Sequence, residues 1–264
     1  MGNKNDVMDV HAIWMAVQRL SKVIAIKTEE QQSLLVLHRS RQQLVKFRTA
    51  QINALHGTLL EFGETLHKGR TALDRELPTV LERMKTRLPP YLITVLEDQY
   101  NRLSELDSLI DGIEKQLTSM ARRNETCKWL MDIPGVCPLI ATAAIATMGE
   151  TSAFKFGREF AVYVGLVPKQ TGSGGKVCLL GISKRGDTYL RTLFIHGARA
   201  ASLCAKEHGP WITELKKRRP ANVAIVAMAN KLARTMWAIM STKVALPQPG
   251  WRFSYQWTHY PLPE

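Results

Sequence analysis

Apolar residues recur at helical spacing through the first half of the chain. From Glu29 to Phe62 there is no proline and one glycine, with Leu34, Leu37, Leu44, Phe47, Leu55, Leu59 and Phe62 as the apolar positions. This pattern predicts one long helix. After a looser stretch holding Pro78 and the Pro89-Pro90 pair, a second helix is predicted over about Tyr91 to Arg122. It carries Leu103, Leu106, Ile110, Ile113, Leu117 and Met120 in alternating steps of three and four, which is a heptad seam. Two such helices joined by a polar, proline-bearing turn fold back on each other within the chain or pair across a dimer, and the pattern leaves both open.

Beyond Arg123 the heptads stop. The stretch from Leu130 to Glu150 puts a Pro-Gly turn between two short apolar helical pieces, a layout similar to a helix-hairpin-helix element. In such an element Gly135 and Val136 would offer backbone N–H groups to a phosphate. An ordinary helical turn in a core is the competing reading. Cys137 stands where a second glycine is common, and would be strained if that position needs positive φ. The remainder is expected to be helical apart from a loop, Gly165 to Asp187, with Pro220 opening the last apolar helix. Lys216 to Pro220 is a basic patch. From Pro247 a tail holds four prolines and five aromatic residues. The expected fold class is therefore mainly α, with a long helical hairpin over 28–124, a second helical domain over 125–246 and the tail over 247–264.

Charge narrows the partners. Lys and Arg number 36 against 23 Asp and Glu, a formal charge of +13, and the pI is near 9.8. Such an excess favours polyanions, and nucleic acid first among them. No run of about 18 apolar residues and no signal-peptide core is evident, so a soluble, intracellular protein without a membrane partner is expected. The four cysteines show no paired CxxC spacing for zinc and are expected to be reduced thiols.

The loop GLVPKQTGSGGKVCLLGISKRGD holds six of the seventeen glycines. It fails as a P-loop, because Gln170 stands where the first glycine belongs and Val177 where Ser or Thr should follow Lys176. A dinucleotide fingerprint is excluded too, since no glycine lies three residues after Gly174. A nucleic-acid contact, a loop presenting Ser173 as nucleophile, or a plain flexible linker remain. A serine hydroxyl is a weak nucleophile and needs help. Lys169, Lys176, Lys184, Arg185 and Arg191 are the candidates to offset charge building on a phosphoryl group.

IPGV, FxxxREFAVYVGLVPKQ, SGGK and GISKRGDTYLRTLFIHGARA occur in that order from about Leu130, and the likeness runs to Leu246. Together they resemble the C-terminal domain of transposases of the insertion-sequence one-ten family, the group that also takes in the one-sixteen and nine-oh-two elements. The resemblance implies that Ser173 joins covalently to DNA. It also implies an N-terminal RuvC-like domain of ribonuclease-H type, with Asp, Glu, Asp and Asp around Mg2+. NKNDVMDV matches the run carrying the last two, so Asp6 and Asp9 would be the third and fourth metal-binding carboxylates, and 1–27 the end of that domain. Only five residues precede Asp6. The chain is accordingly expected to lack the other two carboxylates and to be inactive alone. DNA, a guide RNA and further copies of the chain are the implied partners, in a prokaryotic cytoplasm. The alternative is a nucleic-acid-binding or regulatory fragment that oligomerises through its helical hairpin and does no chemistry.

Overall fold

The computed structural model describes residues 6–18, 26–173, 176–204 and 210–244. A first helix, α1 (Asp6–Gln18), opens where the sequence places the two aspartates; the Asp6 and Asp9 side chains lie outside the described residues. Helix α2 (Glu29–Glu61) starts at a reciprocal cap. Gln31 N–H donates to Thr28 Oγ1 and Thr28 N–H to the Gln31 side chain, so two otherwise orphaned donors are satisfied.

After α3 (Arg70–Lys85) comes the second long helix, α4 (Pro90–Arg123), with Pro90 at its first position, where a missing N–H costs nothing. Helices α2 and α4 pack as an antiparallel pair within the chain. Arg41 bonds Glu114 at 2.7 Å and Arg48 bonds Asp107 at 2.8 Å, so partners advance along one helix as they retreat along the other. On α4, Leu103, Ile110 and Leu117 are buried, one per heptad, and form the seam. The alternate positions are less covered: Leu106 and Ile113 are half-buried, and Met120 is 45% exposed.

The looser stretch expected around Pro78 is instead the 16-residue helix α3, with that proline inside it. Proline removes one helix hydrogen bond. Burial of an apolar face offsets the loss, because Leu73, Leu77, Val80, Leu81 and Met84 close a small core with Leu55, Leu59, Ile93, Leu96 and Leu103. Asp107 receives hydrogen bonds from Arg48 and from Arg70 of α3. Burial alone would raise its carboxyl pKa, but the two guanidiniums outweigh that and hold it below the ordinary value.

The second core is built by the rest of the chain together with Ala121 of α4. Asn124 ends α4 and caps α5 (Glu125–Met131), accepting from Cys127 N–H at 2.9 Å. A turn leads to α6 (Pro138–Met148), and a 3-10 turn at Thr151–Ala153 precedes α7 (Gly157–Tyr163). Cys137 is not strained: its φ is −98°, and Gly135 takes the positive value, +88°. Next comes a two-stranded antiparallel ribbon, β1 (Pro168–Ser173) and β2 (Lys176–Ile182). This corrects the expectation of a loop. Helices α8 (Thr188–Cys204), α9 (Pro210–Arg218) and α10 (Ala221–Thr242) complete the fold, which is mainly α. Helix α10 is long and apolar enough to cross a membrane, but half of its apolar stretch is buried in this core, packed on α7 and α8.

One buried polar cluster joins the hairpin to the second core. His38 of α2, 1% exposed, reaches Thr142 of α6 through Nε2 and Tyr189 of α8 through Nδ1, both at 3.0 Å. The Thr142 hydroxyl gives its proton to the Pro138 carbonyl, so it accepts from His38 Nε2–H, and Nδ1 accepts from the Tyr189 hydroxyl. The ring is therefore neutral. Burial, helped by the Arg41 charge, lowers the His38 pKa from 6.5 to about 4. An unfolded chain takes up a proton near pH 6.5 that the native chain refuses until about pH 4. Stability contributed by this site is complete above pH 6.5 and is lost as pH falls from there towards 4. Urea titrations at pH 7 and pH 5 should differ by about 2 kcal/mol from His38 alone. In His38→Gln that part of the difference should vanish.

Candidate functional site

The ribbon stands clear of the body. Residues Pro168 to Gly172 and Cys178 to Gly181 are exposed, including Leu179 at 61% and Leu180 at 48%. Ser173 ends β1, paired in register with Lys176, so its backbone sits at the tip. The Ser173 and Lys176 side chains lie outside the described residues. Between Pro168 and Gln170 the register shifts, setting Lys169 against Leu180 and Gly181 as a bulge. Bulges add twist and re-aim neighbouring side chains.

An isolated two-stranded ribbon is marginal in water. Here its root is held. Ser183 N–H donates to the Val167 carbonyl at 2.8 Å, and Lys184 N–H to that of Gly165 at 3.3 Å. Asn230 of α10 reaches the Leu166 carbonyl at 3.1 Å. Arg191 of α8, 7% exposed, spans the two ends of the excursion: Nη1 donates to the Val164 carbonyl at 3.0 Å and the Arg185 carbonyl at 2.9 Å, and Nη2 to Thr188 Oγ1 at 3.0 Å. A guanidinium is planar and forked, which suits several fixed oxygens at once.

The chain path that allows this contact is specific. Gly165, Lys184 and Gly186 all have positive φ, at 77°, 55° and 75°. A Cβ on Gly186 would lie 1.7 Å from the Tyr163 carbonyl oxygen, and one on Gly165 would lie 2.1 Å from that of Arg185. Asp187 then caps α8, accepting from Leu190 N–H at 2.9 Å. The run SKRGDTYLR thus makes one tight turn into a helix whose next arginine locks the turn. Burial raises the pKa of Tyr163, with Asp187 adding to it, and burial raises that of Tyr189.

Of the sequence-predicted site residues, Lys169, Lys184 and Arg185 are exposed around the ribbon. Arg191 lies inside, its donors on protein oxygens rather than open to a phosphate. Val136 is buried, and its N–H goes to the Ile133 carbonyl at 3.0 Å. Gly135 presses on α8, where a Cβ would come within 2.3 Å of the Gly197 carbonyl oxygen. The Pro-Gly turn is therefore packed against the helix that carries Arg191. Gly165, Gly186, Thr188 and Asn230 were not singled out from the sequence; glycines flanking a basic run were the available signal.

Comparison with known proteins bears on the same segment. A model of the "Transposase IS116/IS110/IS902 family" matches residues 127–213, from the end of α5's first turn through the ribbon to α9. The "Probable family 20 transposase" of Pseudomonas aeruginosa is 40% identical over 255 residues, covering 94% of this chain and 75% of that protein. The "Transposase for insertion sequence element IS1111A" of Coxiella burnetii is 41% identical, with 90% of this chain and 67% of the relative covered. This chain belongs to the IS116/IS110/IS902 transposase family. A third member, the "Transposase for insertion sequence element IS1328" of Yersinia enterocolitica, is 36% identical over 90% of this chain and 72% of its own length. Within the family span fall the ribbon, its root except Asn230, and the Gly135–Gly197 contact.

The root makes a direct stability prediction. Gly186→Ala combines a forbidden contact with positive φ and should cost about 2 kcal/mol or more in thermal or urea unfolding. Gly57→Ala, on α2 with nothing within 4 Å of the added carbon, should instead stabilise by about 0.5–1 kcal/mol.

Proposed function

We propose that this family member cuts and rejoins DNA strands through a covalent phosphoserine at Ser173. The observation that carries the reading is the exposed ribbon with Ser173 at its tip, anchored at the root by the family's own sequence run. In the proposed step Ser173 Oγ attacks phosphorus. The Oγ–P bond forms as the bond from phosphorus to a sugar oxygen breaks, and the proton given up by the serine hydroxyl is matched by one taken from solvent by the departing sugar oxygen, which leaves as a hydroxyl. Attack by another sugar hydroxyl reverses the step and joins new strands. Lys176, opposite Ser173 in the ribbon, would neutralise charge on the phosphoryl oxygens, with Lys169, Lys184 and Arg185 following the flanking phosphates. Arg191 and the Gly135–Val136 turn take positioning roles in this reading.

Asp6 and Asp9, three apart on α1, share a face and are the candidates to hold Mg2+, which would supply Lewis-acid charge at the phosphate. Among the described residues no group of three or more His, Cys, Asp or Glu side chains is gathered to hold an ion. Two carboxylates hold Mg2+ poorly, so no step here is routed through it. A guide RNA that selects the target, and self-association through the half-covered face of α4 bearing Leu106, Ile113 and Met120, complete the proposal.

The test is an SDS-resistant protein–DNA adduct in cells that hold the element and the chain joined to an N-terminal segment carrying the two further carboxylates that the family resemblance implies. Wild type should form it, and Ser173→Ala should lower it at least about 100-fold, since alanine has no oxygen to attack phosphorus. Equal adduct in the alanine variant would overturn the serine assignment. DNA affinity without any adduct in either protein would favour binding without chemistry. In both proteins, affinity should fall about 1,000-fold between 50 and 200 mM salt if six or more phosphates are contacted.

A further inference from the structure

A groove of about 1410 Å³ runs along α10 from Asn222 to Ile239. Its walls are α7, α9 and the root of the ribbon with Leu180 and Ile182. That volume exceeds the usual range of a small-molecule pocket, and the span along α10 is about 25 Å, which suits an extended polymer. We infer that the groove holds an unpaired strand of DNA, with bases on its apolar floor and phosphates along its basic rim. For the source of that strand the inference rests on the strand-cutting reading above.

Floor and rim differ in chemistry, and only one class of polymer answers both. The lining is mainly apolar, with Val223 and Val226 of α10 and two aromatic rings, Phe156, 49% exposed, and the half-buried Trp211. Unpaired bases stack on such surfaces with little regard to sequence, whereas a duplex shows a protein its phosphates and base edges and keeps its ring faces hidden. The charged lining residues are Arg158, Arg218, Lys231 and Arg234 against one carboxylate, Glu214, which is itself bonded to Lys217 at 2.7 Å. The three arginines are exposed. Lys231 Nζ lies over the Trp211 ring, 4.7 Å from its centroid, and burial, with the Arg234 charge adding to it, lowers its pKa. A phosphate beside the pair would relieve that repulsion. A protein segment apolar enough for the floor would leave these cations unanswered, while every nucleotide brings a ring face and a negative charge together.

The groove is also continuous with the ribbon. Asn230, in its lining, donates to the Leu166 carbonyl at the ribbon's root. Lys176 pairs with Ser173 at the tip, and Leu180 on the groove wall stands four residues along the same strand, roughly 13 Å away. A DNA strand cut at the tip thus has its next few nucleotides within reach of the groove.

The test is fluorescence anisotropy of a labelled oligothymidylate of about 15 nucleotides, a length that fills a single-strand site, with the full chain carrying Ser173→Ala. Val226→Glu sets a carboxylate on the floor and should weaken binding at least about 10-fold, as loss of one or two stacked bases does. An abasic sugar-phosphate strand of equal length should bind the parent chain at least about 10-fold more weakly than the oligothymidylate does. Should Val226→Glu fail to fold by circular dichroism, Arg158→Glu with Arg234→Glu decides. That pair should weaken binding at least about 10-fold more than the same change of charge on the exposed face of α4, Arg102→Glu with Lys115→Glu. Equal binding by the parent and a folded Val226→Glu, or equal weakening by the two charge pairs, would overturn the proposal and leave the groove to a second copy or a protein partner. Tighter binding of an oligouridylate of the same length would overturn the assignment to DNA. Because binding is read without chemistry, absence of a covalent adduct in cells counts against strand cutting and not against the groove.

Discussion

The exposed ribbon of this molecule depends on one buried cation. The Arg191 guanidinium is almost wholly removed from water, and its donors rest on the carbonyls of Val164 and Arg185 and on the Thr188 hydroxyl. Burying a charge is costly unless oxygens replace its hydration. The oxygens that do so belong to the two ends of the ribbon excursion, so satisfying the charge and closing the root are one event. The left-handed turns at Gly165 and Gly186 exist because only that path brings the Arg185 and Tyr163 carbonyls so close to the neighbouring backbone.

The same logic of close approach continues inward. Helix α8 carries Arg191 near its start and Gly197 two turns on, where the Pro134-Gly135 turn presses against it. It also carries Tyr189, which reaches His38 on the long helix α2. A single helix thus links the ribbon's root, the Pro-Gly turn and the helical hairpin. The two cores are otherwise separate in composition, one at the tip where α3 packs on α2 and α4, one in the C-terminal body. Helices α2 and α4 also pack directly on the apolar helix α6, and Ala121 of α4 belongs to the C-terminal core, so neutral His38 adds a specific polar contact within a wider helix-on-helix interface.

The sequence revealed some parts of this more readily than others. Both long helices were readable almost to the residue, because uninterrupted apolar periodicity over more than thirty positions has no competing interpretation. Helix α3 was missed: Pro78 and polar residues suggested a loop, although Leu73, Leu77, Val80, Leu81 and Met84 keep helical spacing. The ribbon was missed for a different reason. Its residues are exposed on both sides, so burial imposes no alternation of apolar and polar positions, and its glycines and lysines carry little strand propensity. The basic residues of the loop were all read as phosphate contacts, yet pattern alone cannot separate the exposed Lys184 and Arg185 from the inward Arg191. Only the three-dimensional path of the turn decides which cation faces the protein. Membership of the family was legible from the same run, which falls inside the span that the family model matches.

The most direct test of the clamp is native-state amide exchange at Ser183 and Lys184, whose N–H groups bond the Val167 and Gly165 carbonyls. Arg191→Met removes the charge and the donors but keeps an unbranched apolar side chain in place. Exchange at those two amides should then rise by about 100-fold or more, while the buried seam of α4 around Leu103 and Ile110 keeps its wild-type protection. Unchanged exchange at Ser183 and Lys184 in a folded Arg191→Met protein would contradict the claim that this arginine holds the ribbon.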